Sequence, residues 1–354
     1  MYVDIPVSLA VAFVVAGLAL LAWSSDRFVA GSAALAKNLG VSPFVIGMVV
    51  IGFGTSAPEL LVSAFSGASG HSNLSLGNAY GSCFFNIVGI LGVAALVKPI
   101  VVKKSIPRFG VPVLLAISAV SYILIRDGSL SRIDAAILLV LFAIAMPLYC
   151  FFDKKGGDAP QDGEEIKEMP FAASLAWSLA GLVVMIGASH LLVWGSVDLA
   201  RSLGVSELMI GLTVVAIGTS LPELASALAA SRRGESELVL GNIIGSNIFN
   251  MLAVVGIAGA ISPIEKFSPC VLGRDLPVLA AATLSLGLFG FSFRPSKPVG
   301  SIGRVKGAFW LLFFFAYMAI VIAGELLPPA TRSARFWGAV EGIGTKGGVE
   351  ECQG

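Results

Sequence analysis

The sequence has few charged residues for its length of 354. Asp, Glu, Lys and Arg make up 13% of it and hydrophobic residues 56%, whereas a soluble domain carries about 25% charged residues. The mean hydropathy is +0.90, and this composition excludes an ordinary soluble protein. The net charge is +1 and no basic block lies outside short loops, which excludes nucleic acid as a partner.

Patterns typical of metal centres, disulfide frameworks and catalytic sites are also missing. The four cysteines (Cys83, Cys150, Cys270 and Cys352) form no CxxC pair, and the chain has only two histidines. This excludes a zinc centre and a disulfide framework, and it predicts cysteines that pack as small apolar side chains. Because no HExxH motif or nucleophile–base pair is present, we expect neither enzymatic activity nor a cofactor.

Long apolar runs make up most of the sequence. Runs of about 20 apolar residues, enough to span a bilayer, recur along the whole chain. The first run lacks a basic leader and a cleavage site, so we interpret it as a retained helix. The sequence predicts an all-α integral membrane protein in the lipid bilayer. Its ten transmembrane helices lie near 6–25, 42–66, 74–97, 109–125, 133–152, 172–192, 206–230, 238–261, 275–292 and 307–326.

A polar break between Asp153 and Pro170 divides the chain. We predict a first five-helix repeat (1–152), a cytoplasmic linker (153–170), a second five-helix repeat (171–326) and an irregular tail (327–354). Fifteen Lys and Arg residues fall in loops after odd-numbered helices and five in the other loops. Because cytoplasmic loops carry the excess of positive charge, we expect a cell (inner) membrane protein with both termini outside.

The two halves repeat each other at an offset of 164 residues. From Val41 to Gly92, 22 of 52 positions are identical to the second half without a gap, including six of the seven residues in Gly54–Leu60. An odd number of helices in each half makes the second half enter the membrane from the opposite side. The halves therefore form inverted-topology repeats, which bind substrates near the midplane with interrupted helices.

Two prolines predict where these interruptions lie. Pro58 and Pro222 fall inside apolar runs, and each removes one helical hydrogen bond. The freed carbonyls lie about one turn upstream. In lipid such a carbonyl must face protein, a water-filled cavity or a cation.

Glu59 and Glu223 are the only acidic residues deep inside the predicted spans. A charged residue at the centre of such a helix costs about 2.5–3.5 kcal/mol on insertion scales. Their equivalent positions in the repeat favour a shared cation site over two protonated glutamates bonded to neighbouring helices. Hydroxyl and amide groups at helical spacing accompany them, an all-oxygen set that suits Ca²⁺ or Na⁺. These residues are Thr55, Ser56, Ser82 and Asn86, and Thr219, Ser220, Ser246 and Asn250.

Other polar and small residues have a packing interpretation. Serine and threonine in membrane helices also form bonds between helices. We interpret Asn78 and Asn242 as interhelical bonds rather than ligands. Four glycines are interpreted as packing residues: Gly77, Gly81, Gly241 and Gly245.

The duplicated motif Gly-Thr-Ser-x-Pro-Glu-Leu, followed by Gly-Asn-x-x-Gly-Ser-x-x-x-Asn, resembles the α-repeats of the cation/Ca²⁺ antiporter superfamily. The branch it resembles is that of the prokaryotic sodium/calcium exchangers. This implies an antiporter that exchanges Ca²⁺ for Na⁺ by alternating access, with the first helices of the two halves sliding across the core. It also implies that Glu59 and Glu223 are the central ligands of the cation. The eight hydroxyl and amide residues given above and the backbone carbonyls of Gly52 and Ala216 are implied as further ligands.

Two details of the motif bear on ion coupling. Some relatives have Asp where this chain has Asn250, so ion stoichiometry and potassium dependence stay open. Thr-Ser before each glutamate favours sodium over the Asn-Ala of proton-coupled relatives, yet a proton-coupled cation antiporter remains the alternative. Both halves of the site lie in one chain, so a monomer is sufficient for transport, while the oligomeric state is undetermined.

Overall fold

The fold is almost entirely helical, as the sequence predicts. We use a computed structural model, which describes residues 6–68, 72–155, 168–203, 216–268, 270–291 and 300–326. In these ranges nine helices are long and apolar enough to cross a membrane. The predicted seventh helix (206–230) is described only from residue 216, and the predicted tail (327–354) lies outside the described residues.

The first half contains eight helices, two of which continue from π-helical segments. A further π-helical segment, Gly47–Gly52, joins the second and third helices. The elements are α1 Val7–Leu39, α2 Pro43–Ile46, α3 Phe53–Thr55, α4 Ala57–Ala68, α5 Ser72–Phe84, π-helical Phe85–Ile90, α6 Leu91–Val97, β1 Ile100–Val102, π-helical Ile106–Gly110, α7 Val111–Ile125 and α8 Arg132–Lys155.

The second half repeats this order. Its elements are α9 Phe171–Ser202, α10 Ala216–Thr219, α11 Leu221–Arg233, α12 Ser236–Ile248, π-helical Phe249–Val254, α13 Val255–Ile261, π-helical Val271–Asp275, α14 Leu276–Gly290, β2 Gly300–Ile302 and α15 Arg304–Leu326. Strands β1 and β2 pair antiparallel, with Ile100 opposite Ile302. The span Ser236–Ile261 is the most buried of the nine, so α12 and α13 lie at the centre of the bundle.

Helices α1 and α9 are longer than predicted. Helix α1 continues past residue 25 to Leu39, where Gly40 adopts a left-handed conformation (φ 64°) and terminates it, as glycine commonly does. Asp26 and Arg27 therefore lie inside a helix, not at its end or in a loop. Asp26 forms an ion pair of 2.5 Å with Arg233. The prediction ended the helix with its apolar run, whereas the chain continues it against protein rather than lipid.

Helices α1 and α9 pack against each other through glycine. A Cβ on Gly17 would lie 2.9 Å from Leu192, and a Cβ on Gly181 would lie 2.8 Å from the Phe28 backbone nitrogen. Each pair is related to the other by the 164-residue offset. Such contacts let two membrane helices approach closely without a driving force from water. The contacts also show that α1 and α9 run antiparallel, as an inverted repeat requires.

The packing role predicted for four glycines is confirmed at two of them. A Cβ on Gly245 would meet the backbone of Met48, and one on Gly241 would meet the backbone of Phe44. For Gly77 and Gly81, which are exposed, the packing role stays a prediction, because the residues equivalent to Phe44 and Met48 in the repeat (208 and 212) lie outside the described residues. Among the described residues, no atom lies within 4 Å of a Cβ built at either position. The contacts of Gly241 and Gly245 show that α12 packs closely against residues 44–48.

The cysteines depart from the prediction at one position. Cys83 is free and buried in the hydrophobic core, as the sequence predicts. Cys270, at the start of the π-helical segment Val271–Asp275, is disulfide-bonded. The interpretation of all four cysteines as unpaired packing residues is therefore wrong at Cys270.

Substitution of Gly181 by alanine tests the contact between α1 and α9. Because the added methyl group would meet the Phe28 backbone, we expect the free energy of unfolding to fall by about 1–3 kcal/mol, typical of overpacking. The measurement is the apparent melting temperature of the purified protein in detergent. Gly187→Ala is the matched control, since Gly187 lies on the same helix and is exposed. Equal melting temperatures for the two variants would contradict this packing.

Candidate cation site

Both glutamates lie in the first turn of a helix that follows a break. Ser56 separates α3 from α4, and Ser220 separates α10 from α11. Each serine has a non-helical ψ near zero (7° at Ser56 and 12° at Ser220). The breaks leave Glu59 and Glu223 at helix N-termini, where free N–H groups and the helix dipole favour negative charge. Both glutamates are completely buried.

Each glutamate is held by the serine at the break in the opposite half. Ser56 Oγ donates to Glu223 Oε1 at 2.9 Å, and Ser220 Oγ donates to Glu59 Oε1 at 2.9 Å. The two bonds are equivalent under the repeat, so the four side chains form one cluster between the halves.

The second oxygen of each carboxylate points to no protein donor. Glu59 Oε2 and Glu223 Oε2 are buried and have no hydrogen-bond partner among the described residues. Burying an ionised carboxylate without compensation is very costly. Two such oxygens in one cluster are therefore suited to bind a cation.

Ser82 in α5 extends the cluster, and a buried asparagine lies in each of the two π-helical segments that follow α5 and α12. Ser82 Oγ lies 3.3 Å from Ser220 Oγ. Asn86 and Asn250 are both completely buried. Within the described part of the chain, Asn86 Oδ1 and both amide atoms of Asn250 lack a hydrogen-bond partner. These groups remain free to contribute oxygen ligands.

Three other predicted ligands form a second set of contacts near Asn242. Thr55 Oγ1 donates to the carbonyl of Ile51 at 2.9 Å, and Ser246 Oγ donates to the carbonyl of Gly52 at 3.1 Å. The Gly52 carbonyl also accepts from the Ser56 backbone N–H at 3.3 Å. A carbonyl has two lone pairs, so coordination of a cation by Gly52 would require the Ser246 hydroxyl to turn away.

The remaining two predicted ligands lie in the short helix α10. Ala216 begins this helix and Thr219 ends it, directly before Ser220. Thr219 is partly exposed. The structure therefore positions both residues on the segment that leads to the break in the second half.

Asn78 and Asn242 form interhelical bonds, as predicted. Asn78 Nδ2 donates to the Glu59 carbonyl at 3.0 Å, and Asn242 Nδ2 donates to the Glu223 carbonyl at 3.3 Å. Each amide also bonds to a serine hydroxyl on the glutamate's helix. The two asparagines thereby fix the backbone at both glutamates.

Sequence reasoning missed Ser189 on α9. Its hydroxyl donates at 2.9 Å to the carbonyl of Gly218, which Pro222 frees from its helical bond. In the first half, the equivalent Ser25 instead donates to Ala22 within its own helix, at 3.1 Å. The freed carbonyl at Gly218 is therefore satisfied by a neighbouring helix. No sequence pattern reveals this contact, because it depends on how α9 packs.

Asn247 was also missed. It follows Ser246 and contacts both Cys83 and Asn86. The register of the repeat offers a signal, because Asn247 aligns with Cys83. The two residues stand between a Gly-Ser pair and a Phe-Asn pair that are identical in both halves of this chain.

Comparisons with known proteins agree in family and fold. The chain matches the family described as "Sodium/calcium exchanger protein" over residues 9–150 and 173–323. It is 40% identical to the putative antiporter CaxA of Alkalimonas amylolytica over 88% of this chain and 98% of that protein. It is 36% identical to the inner membrane protein YrbG of Escherichia coli over 89% and 99%. A solved structure of the sodium-calcium exchanger NCX_Mj superimposes with a TM-score of 0.76 and 35% identity, over 89% of this chain and 100% of that chain.

Neutralising either glutamate tests whether the cluster binds cations. We expect Glu59→Gln and Glu223→Gln each to weaken Ca²⁺ binding by at least about tenfold, or about 1.4 kcal/mol. The amide keeps the shape of the side chain but loses the charge that attracts the ion. Isothermal titration calorimetry of purified protein with Ca²⁺ measures the effect.

The matched control is Glu168→Gln. Glu168 forms an exposed ion pair with Lys37, and pairs of this kind contribute little. The control should bind Ca²⁺ like the unmodified protein. Unchanged binding in both site variants would exclude the cluster as the ion site.

Proposed function

Because the chain belongs to the sodium/calcium exchanger protein family, we propose that it exchanges Ca²⁺ for Na⁺ across the membrane by alternating access. The observation that carries the proposal is the pair of buried carboxylates, each held by a serine of the opposite half. Ca²⁺ and Na⁺ are its substrates, and it needs no resident cofactor.

Charge balance couples the two ions. Two carboxylates neutralise one Ca²⁺, or most of the charge of several Na⁺, in one pocket. The loaded site can then move relative to the membrane, whereas the unloaded site carries two unpaired charges and reorients poorly. This difference enforces exchange and prevents leak.

The proposed ligands are the two glutamates with the oxygens around them. Ser56 and Ser220 contribute hydroxyl oxygens that already contact the carboxylates. Ser82, Asn86 and Asn250 contribute three further side-chain oxygens. Thr55, Thr219 and Ser246, and the carbonyls of Gly52 and Ala216, complete the set when the site closes on an ion.

Helices α1 and α9 are proposed to move as one body against the rest of the bundle. They pack closely along each other, and two polar contacts join them to α10 and α11. These are the Asp26–Arg233 ion pair and the bond from Ser189 to Gly218. Sliding would break both contacts and expose the site to one side and then the other. One copy of the chain is sufficient for this cycle.

A sodium gradient and the membrane potential would both drive Ca²⁺ out of the cell. When the sodium charge exceeds the calcium charge by one, each cycle moves one net charge, worth about 2.3 kcal/mol per 100 mV. The proton-coupled alternative remains a second candidate, because a buried carboxylate can also bind a proton. Thr55-Ser56 and Thr219-Ser220 favour sodium.

Ion flux into membrane vesicles distinguishes these couplings. We expect rapid ⁴⁵Ca²⁺ uptake into vesicles loaded with Na⁺, and little uptake with Li⁺, K⁺ or a proton gradient alone. Glu59→Gln and Glu223→Gln should reduce uptake to the level of empty vesicles, and Glu168→Gln should retain it. Uptake driven equally well by a pH gradient without sodium would replace this proposal with proton coupling. Uptake without any internal cation would indicate a channel.

Both termini are proposed to lie outside the cell membrane. Several of the counted residues, Arg27 and Lys37 among them, lie in helices, and the excess of basic residues still favours the same side as cytoplasmic. Fusions of alkaline phosphatase and green fluorescent protein to residue 354 report this topology. We expect phosphatase activity without fluorescence. Fluorescence without phosphatase activity would invert the assigned orientation.

A further inference from the structure

Cys83 and Asn247 lie on the axis that relates the two halves. They occupy equivalent positions in the repeat, and residues related by a two-fold axis can contact each other only at that axis. Cys83 Sγ donates to the Asn247 carbonyl at 3.7 Å, and Asn247 Nδ2 donates to the Cys83 carbonyl at 3.3 Å. Both residues are buried. Each side chain thus donates to the backbone carbonyl of the other residue, but one donor is a thiol and the other is an amide.

The carbonyl of Cys83 determines how the Asn247 amide is oriented. A backbone carbonyl can only accept, so the end of the amide that faces it must be the NH₂ group. Asn247 Oδ1 therefore points the other way, and it lies 3.1 Å from Asn86 Nδ2. An amide oxygen also only accepts, so Asn86 must present its own NH₂ group. This orientation turns Asn86 Oδ1 away from Asn247.

The outward-turned oxygen of Asn86 is available to a cation. It is buried and has no partner among the described residues. A cation is attracted by the oxygen of an amide and repelled by its NH₂ group, so the orientation of the amide matters more than its presence.

Asn250, the counterpart of Asn86, has no equivalent support. The residue that would hold it is Cys83. Its side chain has no amide oxygen to accept from Asn250, and its thiol already donates to Asn247. Within the described residues, both amide atoms of Asn250 lack a hydrogen-bond partner. The Asn250 amide can therefore turn either end toward the site.

We propose that Asn247 is a positioning residue that locks the carbonyl oxygen of Asn86 onto the transported cation, and that Cys83 leaves Asn250 as an unfixed, weaker ligand. This inference rests on the proposed function. Ca²⁺ requires six to eight oxygen ligands, so it depends on the locked oxygen more than on the unfixed one. The two halves, although nearly identical in motif, thus contribute unequally to Ca²⁺ binding.

The first test compares alanine substitutions at the two asparagines. Asn86→Ala removes a fixed ligand, and we expect its dissociation constant for Ca²⁺ to rise roughly tenfold. Asn250→Ala removes an unfixed ligand, and a rise of no more than about twofold is expected. Titration calorimetry with Ca²⁺ alone measures both. Equal effects of the two substitutions would overturn the inference.

Exchange of the supporting residues provides a second test that a merely structural role would not pass. Asn247→Cys should raise the KM for Ca²⁺ roughly three- to tenfold, the scale of one lost hydrogen bond, with Vmax nearly unchanged. The double variant Cys83→Asn/Asn247→Cys moves the support to Asn250. In that background Asn250→Ala should weaken Ca²⁺ binding strongly, and Asn86→Ala should weaken it only slightly. A damaging Asn86→Ala in both backgrounds would contradict the positioning role.

Two outcomes separate this inference from the exchange proposal. Unequal Ca²⁺ binding without sodium-driven flux would remove the exchange proposal and keep the inference. Normal sodium-driven flux with equal effects of the two alanine substitutions would keep the exchange proposal and remove the inference. If Asn247→Cys does not fold, Cys83→Asn alone serves instead. It should support both amides and make Asn250→Ala as damaging as Asn86→Ala, and an Asn250→Ala effect still near twofold would refute the role of Cys83.

Discussion

The structure depends on two buried carboxylates that neither half can accommodate alone. Ser56 holds Glu223 and Ser220 holds Glu59, so each half donates the hydrogen bond that the other half needs. The other oxygen of each carboxylate has no hydrogen-bond partner among the described residues. Because uncompensated charge is costly in the membrane, the halves must fold together before either glutamate is stable as an anion.

Helix breaks make this arrangement possible. Pro58 and Pro222 end the hydrogen-bonded ladder, and the serines before them turn the chain. Each glutamate then lies at a helix N-terminus, where the backbone itself favours negative charge. Around this centre, Asn78 and Asn242 tie the glutamate backbones to α5 and α12. The backbone carbonyls of both glutamates are thus bonded to protein, as a buried polar group in a membrane requires.

The two halves differ in how equivalent serines of α1 and α9 are bonded. Ser189 reaches the Gly218 carbonyl, whereas Ser25 bonds within its own helix.

The sequence by itself determined the membrane class, the repeat offset and the residues of the cluster, because charge in an apolar run and polar residues in register are visible without coordinates. It also predicted the interhelical role of Asn78 and Asn242. It missed the full length of α1, the disulfide at Cys270 and the contacts of Ser189 and Asn247. Only the tertiary structure decided these, since each depends on which helix lies opposite. A hydrogen bond between residues on different helices leaves no periodic trace in the chain.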